Sequence, residues 1–293
     1  MNKIKIFLSL ILFILILSQA GFPDTAFTGM RNISSAEIVA EMGSGWNLGN
    51  TLDTKSSDET HWGNPYTTQE MIDVVAGTGF KTMRMPVTWG YHIGPGPDYI
   101  VESAWLDRVE EVANFALSND MYVIINIHHD DSWVIPTYEQ LDEVKDKLSK
   151  LWTQIAYRFR DYSDYVIFEH LNEPRYEGSP EEWSGGTPEG RDCLNQLHQV
   201  CLDAIRSTGG NNARRHIMIS SYAASCVQVA MDDLIIPNND PRTIVSLHNY
   251  FPWSYTLAYI HTEWVTPEDY DAMSAAFESV FNTFVALGYP VVM

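Results

Sequence analysis

Basic residues are scarce in this chain. Eighteen Lys and Arg stand against 38 Asp and Glu, a formal charge of −20 at pH 7, so nucleic acid or an anionic membrane would be repelled as a partner. Cysteine is scarce too, and Cys193, Cys201 and Cys226 form an odd set with no disulfide framework. The first two lie eight residues apart in a helical pattern, about 12 Å along its axis and too far to bridge, while one disulfide to Cys226 stays open. No glycine-rich phosphate loop is present, which argues against a dinucleotide fold. Repeats, low-complexity tracts and linkers are also missing, so a single domain is the simplest division.

What the chain does have is 45% hydrophobic residues and nine Trp, enough for a sizeable core and for flat faces that stack on sugar rings. Residues 1–20 begin with Lys3 and Lys5, run apolar from Ile6 to Leu17 and end on Ser18 and Ala20. That pattern predicts a cleaved secretory signal, the apolar run being short of the roughly 20 residues a membrane span needs. The mature protein, residues 21–293, is therefore expected outside the cell and free of the membrane. Asn32-Ile33-Ser34 fits a glycosylation sequon, a weak signal.

Short apolar runs alternate with helical patterns. Strands are predicted at residues 45–49, 82–87, 122–128, 166–172, 216–221, 244–250 and 290–293. Between them, Thr67 and Glu70 read as a capping box with Gly79 as the stop. The next helices carry Leu106, Val109, Val112, Ala113 and Ala116, then Leu141 to Phe159, then Leu194 to Ile205. A late one carries Phe277, Phe281, Phe284 and Val285. Seven strand candidates in strict βα alternation predict an α/β fold, a (β/α)8 TIM barrel, rather than an open doubly wound sheet.

Such barrels build their sites at the carboxyl ends of the strands, where this chain gathers Asn47, Asn50, Arg84, His128, His129, Asn172, Glu173, His248 and Tyr250. In "HLNEPR", Pro174 disfavours helical geometry at Glu173 and leaves its carboxyl at the barrel mouth. Aromatic and uncharged neighbours there would raise its pKa, which suits a proton donor. Glu169, four residues earlier on the same face, is expected in a buried network.

The stretches "GWNLGNTLD" (45–53), "RMPVTW" (84–89), "INIHHDD" (125–131), "FEHLNEPR" (168–175) and "SLHNYFPW" (246–253), in this order, resemble the cellulase-type enzymes of glycoside hydrolase family 5. The resemblance implies a retaining endo-acting hydrolase of β-1,4-glucan, with xyloglucan, mannan, xylan and mixed-linkage glucan open, needing no cofactor and expected as a monomer. It implies Glu173 as acid/base, Asn172 on the sugar 2-hydroxyl, Arg84 orienting a nucleophilic carboxylate, and His128 contacting substrate, with His129 beside it. His248 and Tyr250 would flank the nucleophile. Asn47, Trp89, Trp133 and Trp253 would be sugar contacts.

The family's nucleophile is a glutamate closing a "PVVxGEFG"-like seventh strand, and "PVVM" is the last of this sequence. The expectation is thus a barrel incomplete at the C-terminus, with strand 8, the last helices and the nucleophile absent from the 293 residues. Asp130 and Asp131 lie outside any matching motif. Two other readings compete. A metal-dependent hydrolase could use "HHDD" (128–131), although adjacent histidines on a strand end point to opposite faces. A non-catalytic carbohydrate-binding barrel would keep the cleft without the nucleophile.

Overall fold

The structure, a computed structural model, describes residues 29–258 and 266–293; the secretory signal read at residues 1–20 lies outside them. The elements in chain order are α1 (Ser35–Met42), β1 (Gly45–Asn47), α2 (Gln69–Gly77), β2 (Thr82–Met85), α3 (Ser103–Leu117), β3 (Tyr122–Asn126) and α4 (Leu141–Arg158). They continue with β4 (Val166–Glu169), α5 (Pro188–Ser207), β5 (Ile217–Ser225), α6 (Gln228–Asp232), β6 (Thr243–His248), α7 (Trp253–Thr256), α8 (Pro267–Thr283) and β7 (Val291–Val292). All seven strands pair in parallel in the order β1 to β7, each at a site where the apolar runs placed it. This is the βα succession of a (β/α)8 barrel. Among the described residues β1 and β7 are the free edges of the sheet, with a cavity of about 500 Å³ between them. No helix among those residues is long and apolar enough to cross a membrane.

Period-two alternation sorts the strand side chains into two populations. Outward residues Val123, Ile125, Phe168, Ile217 and Ile219 join α3, α4 and α5 through Val109, Val112, Leu148, Leu151, Leu197 and Ile205 in one core. Inward residues Ile124, Ile167, Met218 and Ile244 form an apolar layer, plugged by Ile38 and Met42 of α1. One pleat further along each strand the inward positions turn polar: Arg84, Asn126, Glu169 and Ser246. Below this level the barrel is a core; above it, a site.

Three details differ from the sequence expectation. The cap of α2 is Thr68, whose hydroxyl accepts from Met71 N, because the Thr67 backbone is held elsewhere, its N donating to Glu59 and its O accepting from Arg108. Val280 of α8 and the expected Phe284, which caps its C-terminus, are the buried residues there, packed on Met231, Val245 and Leu247. Phe277, Phe281 and Val285 face outward, 47%, 54% and 41% exposed, since the helix turns the adjacent stripe toward β6. The three cysteines are free thiols, two buried and Cys226 half-buried, so the bridge left open to Cys226 is not formed. Gly288 at φ 94 makes the left-handed turn that leads into β7, a conformation favouring glycine.

Arg215, ahead of β5, is wholly buried and donates to five acceptors: the carbonyls of Phe159, Tyr162, Ser163 and Val166 and the Asn212 side chain. It thereby binds the end of α4 and the start of β4 to β5. Replacing it with an apolar side chain strands those acceptors, each costing about 1–3 kcal/mol. Arg215→Met is expected to lose at least about 3 kcal/mol, read as a lower urea midpoint at unchanged m; an unaltered midpoint would contradict this role.

Candidate active site

The organising contact lies inside the barrel. Glu169, fully buried, accepts at Oε2 from Arg84 Nε at 2.8 Å and from Asn126 Nδ2 at 2.8 Å, and at Oε1 from Ser246 Oγ at 2.7 Å, with the Arg84 Nη2 charge 2.7 Å from Oε2. Its carboxyl is consumed as the floor of the site, as its place on the strand implied. Arg84 also donates through Nη2 to Asn172 Oδ1 at 2.7 Å and through Nη1 to Asn47 Oδ1 at 3.3 Å. A guanidinium can only donate, so the Asn172 oxygen faces Arg84 and its NH₂ group remains for the cleft.

Glu173 follows where β4 has run past its last ladder residue. Asn172 N donates to Ile127 O at 2.9 Å, and Pro174 then turns the chain. The next segment is propped by a bulge in β5 between Ser220 and Ser225: Ala223 N donates to Pro174 O at 3.0 Å, and Tyr176 N donates to the Tyr222 hydroxyl at 2.8 Å. Ala223 and Ala224 sit at φ 56 and 48, left-handed conformations costing about 1–2 kcal/mol each, stabilised by Ser221 Oγ donating to Ser225 O at 2.6 Å. No sequence signal marked this bulge, because two alanines ordinarily continue a strand.

A cleft of about 280 Å³ opens above the polar layer, lined by Asn47, Arg84, His128, His129, Asn172, Glu173, His248 and Tyr250, together with Gly49, Asp53 and Pro86. Eight residues singled out in the sequence therefore converge on one space. The three tryptophans do not line it. Trp89 is fully buried, its indole N–H donating to Asn126 O at 2.9 Å, because its strand extension packs into the wall. Trp133 is half-buried with its N–H on Asp130 at 2.8 Å and the Lys147 ammonium 3.9 Å from its ring centre. Trp253 stands 58% exposed on α7. Exposed Trp62, set edge-on to His129 at 5.5 Å, and Trp183, under the Arg175 guanidinium at 4.6 Å, carried no motif. Asn126 and Ser246 were also missed; each interrupts an apolar strand at an inward position, the signal that could have found them.

Electrostatics correct one expectation. Burial pushes the Glu173 carboxyl up, but the hydrogen bond and charge of His248, with Arg175 and Arg84, prevail and hold it below the ordinary range. The partner, His248 Nδ1, lies 2.6 Å from Glu173 Oε1. Burial, then Arg84, His129 and His248, push His128 well below its usual value, keeping it neutral. Burial and the Glu173 charge raise the Tyr250 hydroxyl.

Neither aspartate of "HHDD" is free to attack a substrate: Asp130 accepts from Trp89 N, Gly90 N and Trp133, and Asp131 pairs with Arg175. Contrary to the opposite-faces expectation, His128 and His129 each bring a ring nitrogen within 4.8 Å of an Asp53 oxygen and of each other. The reason is that β3 ends at Asn126, so strand alternation no longer governs them.

Because the folded Glu173 value is depressed, its contact with His248 stabilises the protein above the ordinary carboxylate range and is lost as pH falls through the folded value. His248→Ala is expected to raise the Glu173 pKa, followed by carboxyl ¹³C NMR titration; an unchanged or lower value would dismiss His248 as its principal partner.

Residues 49–293 match the cellulase family, glycosyl hydrolase family 5. The chain is 51% identical over 274 residues to endoglucanase B of Clostridium cellulovorans, covering 92% of this chain and 62% of that protein, so it spans under two-thirds of that relative. Among solved structures it is similar to ZgEngAGH5_4 in complex with a cellotriose, with 58% identity and TM-score 0.89 over 91% of this chain and 81% of the other. It is similar also to a broad-specificity endoglucanase from Clostridium acetobutylicum, with 50% identity and TM-score 0.87 over 89% and 79% of the two chains. With the ordered motifs, the βα succession and the Glu173 cleft in agreement, this chain belongs to glycoside hydrolase family 5.

Proposed function

We propose that the protein is an exported, retaining endo-β-1,4-glucanase in which Glu173 is the acid/base. The observation that carries this reading is the Glu173 carboxyl beside the free NH₂ of Asn172 in a cleft shared by His128, Arg84, His248 and Tyr250. A glucan lying across that cleft would put its glycosidic oxygen at Glu173 and its 2-hydroxyl at Asn172, a hydrogen bond that strengthens in an oxocarbenium-like transition state. The cellotriose of the related complex supports a cello-configured substrate.

Retention needs a second carboxylate about 5 Å from the first. A carboxylate that close to Glu173 would compete with it for the His248 proton and let the Glu173 pKa rise, converting it from a base to the acid that the first step requires. Arg84, already in reach of Asn47 and Asn172, would orient that group. The apolar run of residues 1–20 supports export, and the exposed Trp62, Trp183 and Trp253 are available as platforms for distant sugar rings. We read the protein as a monomer.

In the intact protein, Glu173→Gln is expected to cut kcat on soluble cellulose derivatives by about a hundredfold or more; undiminished hydrolysis would refute the acid/base role. The 293 residues alone are expected to bind cello-oligosaccharides without turning them over, and measurable hydrolysis by them would mean that a carboxylate among those residues serves as nucleophile.

A further inference from the structure

We propose that Asn126 is a positioning residue that locks His128 as the neutral Nε2–H tautomer, making its cleft-facing nitrogen a donor only and withholding the ring from metal ions.

Donor and acceptor directions leave the ring one proton position. The Val87 amide can only donate, and it lies 3.1 Å from Asn126 Oδ1, so that oxygen is fixed toward Val87. The Asn126 NH₂ is thereby turned inward. One of its hydrogens goes to Glu169 Oε2 at 2.8 Å, and the other points at His128 Nδ1, 3.0 Å away. An NH₂ group has no lone pair to offer, so Nδ1 must supply one, and the ring proton is left on Nε2. The amide cannot rotate by half a turn, because its oxygen would then face the Glu169 carboxyl while its NH₂ met the Val87 N–H. Glu169 is in turn held by Arg84 and Ser246. Strands β2, β3, β4 and β6 thus jointly determine one proton position on one ring.

The charged and titratable groups around that ring agree with a neutral state. Arg84 from β2, His248 from the end of β6 and the adjacent His129 all oppose a proton gain, as burial does. Three carboxylates stand nearby: Asp53 in the cluster with His128 and His129, Glu169 on the other hydrogen of the Asn126 NH₂, and Glu173 across the same cleft.

The locked tautomer has consequences for both sugar and metal. A sugar hydroxyl at His128 can meet it only by accepting, so the hydroxyl's own proton must go to another group; this selects hydroxyl orientation without base chemistry at His128. The cluster of Asp53, His128 and His129, though its ligand atoms lie within 4.8 Å, lacks a His128 lone pair for an ion, since Nδ1 is engaged and Nε2 carries the proton. Metal ligation needs an unprotonated ring nitrogen.

Long-range ¹H–¹⁵N spectra of ¹⁵N-histidine-labelled protein at neutral pH test this directly. His128 is expected to show a pyridine-like Nδ1 and a pyrrole-like Nε2; a pyrrole-like Nδ1 or an imidazolium would overturn the proposal. Asn126→Asp keeps the acceptor for Val87 but places a carboxylate oxygen at Nδ1. The variant is expected to move the proton to Nδ1 and to weaken cellotriose binding about tenfold. Unchanged His128 signals, or unchanged affinity, would remove Asn126 from that role. The wild-type spectrum decides the tautomer even if the variant fails to fold. It is also independent of the glucanase reading, whose own failure would appear as wild-type protein that does not bind cellotriose.

Discussion

A single buried carboxylate, Glu169, carries the architecture of the site. It receives donors from three other strands, through Arg84 on β2, Asn126 on β3 and Ser246 on β6, and it is out of reach of water. Losing one partner of so buried a pair costs about 3–5 kcal/mol, which gives the geometry little freedom. Two of its donors also orient a second group, Arg84 turning Asn172 and Asn126 turning His128. Orientation therefore propagates outward from the floor of the barrel to groups that line the cleft.

The layer below supports this at no polar cost. Ile124, Ile167, Met218 and Ile244 fill the barrel, and α1 closes its amino end with Ile38 and Met42. Each such side chain contributes about 1.5–3 kcal/mol on burial, and together they hold the strands whose next inward residues are polar. The same strands build stability and position chemistry, one pleat apart.

Above the floor the charges are in balance rather than at rest. Glu173 is held low by His248 even as burial pushes it up. Which tendency prevails depends on whether His248 keeps Glu173 as its partner. The protonation of Glu173 is a property of that partnership more than of Glu173 alone.

The βα succession, all seven strands and eight of the residues that line the cleft were legible in the sequence, because apolar runs and polar strand ends are local patterns. The sequence also located Glu173 at the mouth, since Pro174 constrains the backbone of its neighbour. Only the tertiary structure decided that Trp89 is wall rather than platform, that α8 buries Val280 in place of Phe277 and Phe281, and that β5 bulges under the Glu173 turn. It alone showed that His128 and His129 converge, that Glu173 is depressed, and that Asn126 faces Val87, Glu169 and His128 at once. The physical reason is the same in each case: burial, charge balance and hydrogen-bond direction depend on neighbours dozens of residues away, as Arg84 and Glu169 are, 85 positions apart, and no local spacing encodes who those neighbours are.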